Sequence, residues 1–296
     1  VLEKDKNPFL LSRVNEKPLI LDGAMGSLLQ QMGYKPDSNI WMTSLNRSLP
    51  EIIKSVHESY IDSGANIITT NTFRTNPSAL FRVGMLNSAP LVKEAVNLVK
   101  ESVKDLSVYI AGANAPAEDS YQKNRNLSYN QLEINHKIHI DLLKENDVHF
   151  ILNETQSHID EIKIICHHCQ SNNIPYVISI LFDEDLNIIS GESVDYVCKY
   201  IMEHEPLAIG FNCIAPRLFE HLMEKLEIEF NWGFYLNCGG EDYFKRKIET
   251  LVDPISYIKI IEKFITFNPS FIGACCGSTP AHIKEIKKFL DERKIN

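Results

Sequence analysis

Cys275 and Cys276 stand side by side in Gly273-Ala274-Cys275-Cys276-Gly277. Neighbouring side chains on a regular strand point to opposite faces, so both thiols can serve one centre only where the backbone leaves the strand. Gly273 and Gly277 are expected to permit that departure. A soft cation that takes thiolates, of which zinc fits best, then needs a third ligand from elsewhere, with the fourth tetrahedral position left to a substrate. Cys213, in Gly210-Phe211-Asn212-Cys213, is the expected third ligand. Three thiolates on a dication leave a net charge of about −1, which suits bound water poorly. It suits a substrate thiol well, keeping it deprotonated near neutral pH and electron-rich enough to attack. The expected chemistry is therefore alkyl transfer to sulfur. A methyl donor carrying positive charge fits such a site, because attack of thiolate on a sulfonium carbon destroys charge in a water-poor cavity.

These residues need a frame that brings them together. Short β-like runs alternate with segments of helical period along the whole chain. Strands are expected at residues 17–21, 66–70, 108–113, 149–152, 176–181, 207–211, 233–236 and 271–273. Helices are expected at 50–63, 89–103, 131–145, 158–170, 194–203, 216–226 and 254–267, with a closing helix capped by Thr279 and opened by Pro280. Residues 182–191 read as an extension or hairpin. The polar stretch 116–130 is long for a plain connection and reads as a lid, with Tyr121 an exposed residue in it.

Eight strands each followed by a helix allow an open doubly wound sheet or a closed (β/α)8 TIM barrel. Asp22, Asn71, Asn114, Glu154, Cys213, Asn237 and Cys275 all fall just after strands and are spread over the chain. In a barrel such positions converge on one face, whereas an open sheet strings them along a line. The expected fold is a single α/β domain over 1–296, a (β/α)8 barrel with 1–15 as an N-terminal lead-in. Adjacent strands lie about 4.8 Å apart, so the rims of strands six and eight, about 10 Å apart, are within reach of one metal. Glu154 at the end of strand four can hold an ammonium group, and backbone N–H groups at Asp22, Gly23 and Ala24 can hold a carboxylate. Together they would read an amino acid bearing a thiol. Asn237 and Asn114 either brace the rim loops or touch substrate.

The chain has 296 residues, 44% hydrophobic, and a formal charge of −9. With no basic run or basic-aromatic stripe to offset that charge, nucleic acid is not an expected partner. No apolar run reaches membrane-spanning length, and the first residues resemble no targeting segment. Seven cysteines without a regular framework read as reduced thiols in a cytoplasmic protein. Cys166-His167-His168-Cys169 looks like a metal or redox motif, but Cys166 and Cys169 continue the face set by Ile159, Ile162 and Ile165, so core packing explains them better.

Six stretches in this order resemble the homocysteine S-methyltransferases: residues 21–26, 66–73, Asn153-Glu154-Thr155, Gly210-Phe211-Asn212-Cys213, Asn237-Cys238-Gly239-Gly240 and Gly273-Ala274-Cys275-Cys276-Gly277. The resemblance implies a (β/α)8 barrel, zinc on Cys213, Cys275 and Cys276, and homocysteine bound through its sulfur. It also implies that Glu154 takes the amino group, that Asp22 and Gly23 take the carboxylate, and that methionine is the product. Members of the family differ in donor: S-methylmethionine or S-adenosylmethionine, betaine, or a folate and cobalamin system. Thr155 stands where betaine-using relatives carry tyrosine, and no long C-terminal extension of their kind is seen. The chain is short for the added folate and cobalamin modules, although it could be a separate module of such a system. A sulfonium donor is the expectation. Cys238 departs from the family pattern and is expected either to crowd the metal or to replace a ligand. A thiol redox or zinc-storage protein on the same barrel is the competing reading from another class.

Overall fold

The structure, a computed structural model, describes residues 7–103, 107–239 and 248–293. Eight parallel strands form one sheet: β1 (Leu19–Ile20), β2 (Ile67–Thr69), β3 (Tyr109–Asn114), β4 (Phe150–Gln156), β5 (Tyr176–Ile180), β6 (Ala208–Asn212), β7 (Trp232–Leu236) and β8 (Phe271–Ala274). From β2 to β8 each strand pairs with the next, and β1 pairs with β8. The last gap, between β1 and β2, is bridged where Leu21 meets Ile67 in parallel and Asp22 donates its amide to the Ile67 carbonyl at 3.0 Å. The sheet is thus a (β/α)8 barrel, as the spread of strand-end residues implied.

The strands are buried on both faces, which is why they read as unbroken apolar runs and not as alternation. The helices are α1 (Pro8–Val14), α2 (Met25–Gln31), α3 (Leu45–Ser48), α4 (Pro50–Asp62), α5 (Pro77–Phe81), α6 (Ala89–Val103), α7 (Tyr129–Glu145), α8 (Ile159–Ser171), α9 (Val194–Met202), α10 (Pro216–Met223), α11 (Pro254–Phe264) and α12 (Pro280–Glu292). Proline in the first turn opens α4, α10, α11 and α12, where its missing N–H costs nothing. A capping box between Ser128 and Gln131 starts α7 two residues before the expected position.

The lead-in is more than a lead-in. Residues 1–6 lie outside the described residues, but Asn7 caps α1, and Phe9 drives into the barrel floor. Its ring stands edge-on to Phe150 and Phe271, with centroids 5.3 Å away in both cases. The Asn7 amide reaches the Leu207 carbonyl, and Ser12 Oγ reaches the Ser270 carbonyl. The N-terminal helix therefore plugs the end of the barrel opposite to the strand C-termini, where the candidate site lies. Seven residues give too few turns for periodicity to show, which hid α1 in the sequence.

Candidate metal and substrate site

At the C-terminal rim the Sγ atoms of Cys213, Cys275 and Cys276 lie within 4.8 Å of one another, and among the described residues this is the one His/Cys/Asp/Glu cluster of metal-binding size. Cys213 leaves β6 with φ +54°, a left-handed turn that swings its side chain inward. It stays tied to β7 by its amide, which donates to the Tyr235 carbonyl at 3.2 Å. Cys275 leaves β8 and donates to the Leu236 carbonyl at 2.8 Å. Both strands are thus referenced to β7, and the two Cα atoms are brought to 5.5 Å.

Cys213 and Cys275 are joined as a disulfide, and Cys276 Sγ lies 3.5 Å from Cys213 Sγ. The expectation of wholly reduced thiols therefore holds for Cys166, Cys169, Cys198, Cys238 and Cys276 but not for this pair. Tetrahedral bonds of about 2.3 Å put ligand sulfurs about 3.8 Å apart, so the donor set fits zinc once the pair is reduced. Burial, followed by the nearby Glu154 carboxylate, pushes the Cys276 thiol up to about 11.

The two glycines act differently. Gly277 has φ +83°, and a Cβ there would lie 2.5 Å from the Gly239 backbone. The tight apposition is held by Cys238 N–H donating to the Cys276 carbonyl at 2.8 Å and by Gly277 N–H donating to Ser27 Oγ at 3.0 Å. Gly273 keeps strand geometry inside β8. It is small because a Cβ would approach Leu21 Cβ to 2.9 Å. Gly277→Ala should therefore displace Cys276, lower the melting temperature through about 1–3 kcal/mol of strain and overpacking, and weaken metal retention. A variant with parental melting temperature and metal content would contradict this account of the turn.

Asp22 follows β1, the strand beside β8, and its carboxylate accepts from Thr69 N–H at 2.9 Å and Thr69 Oγ1 at 3.0 Å. Burial pushes its carboxyl well above the usual range, against the pull of the two Thr69 bonds. Of the three amides expected to receive a carboxylate, Asp22 donates to Ile67, and Ala24 donates to Ser278 Oγ at 3.0 Å. The Gly23 amide has no partner among the described residues. Gly23 itself is packed so closely that a Cβ would lie 2.6 Å from the Tyr60 ring. Glu154 ends the regular pairing of β4, and burial pushes its carboxyl up to about 7. Thr155, the next residue, has φ +54°, and its amide donates to Asn212 Oδ1 at 3.0 Å.

Other expected residues carry hydrogen bonds within the rim. The Asn114 side chain is fully buried and spent on the layer between β3 and α7: it donates to Asn153 Oδ1 at 2.7 Å and pairs with His139 Nδ1 at 2.8 Å. It braces two strands at the rim. Asn237 Oδ1 receives the Gly239 amide at 2.8 Å, shaping the loop after β7, while Gly240 lies outside the described residues. Cys238 is not in the sulfur cluster; its thiol turns toward the Leu236 carbonyl, 3.9 Å away. It does not join the three sulfurs. Cys166 and Cys169 are fully buried core residues of α8.

The stretch 116–130 is anchored, not loose. Glu118 accepts from the amides of Asn126 and Leu127, Ala117 N–H donates to Glu161 at 2.8 Å, and Arg125 pairs with Glu161 and Asp160. Tyr121 is half-buried against the core. Sequence reading missed Asn212 as a working side chain, and its position one residue before Cys213 was the available signal.

With this geometry in place, comparison with known proteins decides the family. A model described as Homocysteine S-methyltransferase matches residues 19–290. The chain belongs to the homocysteine S-methyltransferase family. Similar members of this family are Homocysteine S-methyltransferase 2 of Arabidopsis thaliana, 23% identical over 93% of this chain and 93% of that one, and Selenocysteine Se-methyltransferase of Brassica oleracea var. italica, 23% identical over 93% and 89%. The metallated form of the Escherichia coli homocysteine methyltransferase MmuM superposes with a TM-score of 0.80, 19% identity, and coverage of 95% of this chain and 99% of that one. An oxidized form of the same Escherichia coli protein also superposes with a TM-score of 0.80. As a homocysteine S-methyltransferase family member the chain is a methyltransferase enzyme. Among its described residues no helix is long and apolar enough to cross a membrane.

Proposed function

We propose that the protein moves a methyl group from a small sulfonium donor, S-methylmethionine or S-adenosylmethionine, to the thiol of homocysteine, giving methionine. The observation that carries this reading is the convergence of three cysteine sulfurs within 4.8 Å at the barrel mouth, on the same rim as buried Asp22 and half-buried Glu154. Cys213, Cys275 and Cys276 hold zinc once the Cys213–Cys275 bond is reduced. When bound, the ion supplies the positive charge that lets the substrate sulfur lose its proton near neutral pH.

The protein's own residues do the rest. Ionised Glu154 receives the substrate ammonium, the unpartnered Gly23 amide donates to the carboxylate, and Thr69 N–H and Oγ1 hold the Asp22 carboxyl in place at the same strand end. The rim excludes water from the path between sulfur and methyl carbon. One carbon–sulfur bond forms on homocysteine as one breaks at the sulfonium, the thiol proton leaves to solvent, and the donor departs as a neutral thioether.

With reduced, zinc-loaded protein, homocysteine and S-methylmethionine should yield two methionines for each homocysteine consumed. Methionine formed only with betaine, or only with a methylated cobalamin protein, would overturn the choice of donor. Absence of methionine with every donor would overturn the reading itself.

A further inference from the structure

We propose that Asn212 is a positioning residue that sets the reach between the sulfur cluster and Glu154, and thereby selects the number of methylenes in the thiol amino acid. This rests on the function proposed above. Asn212 is joined by one peptide bond to Cys213, and its Oδ1 accepts the Thr155 amide, which is one peptide bond from Glu154. A single side chain therefore connects the residue expected to fix the substrate sulfur with the residue expected to fix the substrate nitrogen.

The connection is made under constraint at both ends. Thr155 and Cys213 have φ of +54° each, a region that a β-branched residue such as Thr155 adopts only when its surroundings hold it there. The β4–β5 register slips between Asn153 and Gln156, so strand pairing does not itself fix the peptide after Glu154. Side chains do: Gln156 Nε2 donates to its carbonyl at 3.2 Å, and Asn212 Oδ1, the bond that reaches the sulfur strand, accepts its N–H. Asn212 is 1% exposed, and its Nδ2 has no protein partner. A buried amide with an unmet donor is a poor stabiliser, so its presence beside the sulfur site is better explained by placement than by stability. Relatives whose names give selenocysteine as substrate take an amino acid one methylene shorter than homocysteine, so reach is a property that varies within this fold.

The test uses reduced protein loaded with cobalt(II) in place of zinc, in which thiol binding is read by thiolate-to-cobalt absorbance without turnover. Three probes are titrated: L-homocysteine, L-cysteine with one methylene fewer, and 4-mercaptobutanoate, which lacks the amino group. The unmodified protein should prefer homocysteine over cysteine by about tenfold to a hundredfold, the usual worth of one methylene in a fitted site. Asn212→Ala and Asn212→Ser, neither of which reaches Thr155, should reduce that preference to within about threefold while leaving 4-mercaptobutanoate affinity unchanged. Asn212→Asp keeps an acceptor for the Thr155 amide and should restore most of the preference. Unchanged preference in the soluble Ala or Ser variant overturns the proposal, as does an equal loss of affinity for homocysteine and 4-mercaptobutanoate, which marks a merely structural residue. An unmodified protein that binds cobalt but no thiol would instead bring down the functional reading, and that result is seen before any variant is made.

Discussion

Cys276→Ser is expected to empty the metal site without unfolding the barrel. Reduced parental protein should carry one zinc per chain, and the variant should retain under about a tenth of that after dialysis. Losing a partner outside the ligand shell already costs about 10–100-fold in affinity, and losing a ligand costs more. Methionine formation should fall by at least roughly a hundredfold. Cys276 is well placed for this test because it is the least buried of the three and stands outside the Cys213–Cys275 bond. Its structural tie, the carbonyl that accepts from Cys238 N–H, belongs to the backbone and survives the substitution. Cys238→Ser is the matched control: its sulfur is outside the cluster, and zinc should stay bound. Zinc measured by mass spectrometry beside a thermal melt separates loss of ligand from loss of fold. Parental zinc content in Cys276→Ser, or zinc loss in the Cys238 control, would refute the assignment of ligands.

The barrel was legible because its signals are distributed. Every long helix carries its own period, and strand-end polar residues recur from Asp22 to Cys275, a pattern that only a closed sheet brings to one rim. The sulfur cluster was legible for a narrower reason: adjacent cysteines between glycines force a turn, and that turn demands a partner. Three things were not legible. The plug helix α1 and the short helix α5 are too brief for periodicity to show. The fate of Asn114 depends on the His136 and His139 side chains of α7, neighbours that no local spacing reveals. Asn212 does its work through a hydrogen bond to Thr155 across 57 residues of sequence, and its motif position marks it only as a neighbour of a ligand. Contacts of long sequence separation decide where a rim side chain turns, and a linear reading supplies only that it is at the rim.

Glu154→Gln should have the second large effect, and pH gives it a signature. Burial holds the Glu154 carboxyl at about 7 in the free protein, so at pH 6 only about one molecule in ten has the carboxylate that receives an ammonium. In the parental enzyme kcat/KM for homocysteine should therefore rise as pH climbs toward 7 and level above it. Glutamine keeps the shape and removes the charge; the plateau should drop by about 10²–10³, the order of 3–5 kcal/mol expected when a buried charge loses its partner, and the loss should fall mainly on KM. The limb near 7 should vanish with it. Stability should move the other way. A carboxyl whose folded pKa lies above its unfolded value of about 4.3 stabilises the fold below that value, and the contribution is lost as pH rises through the folded one. At pH 8 the parental protein carries the cost of an ionised carboxylate in a buried mouth, and the glutamine variant does not. Glu154→Gln should accordingly melt above the parent at pH 8, with the difference shrinking to nothing near pH 4. A variant that is both less active and less stable at pH 8 would mean that Glu154 is held by a partner of opposite charge in the free protein, and its vacancy for a substrate ammonium would be lost as an explanation.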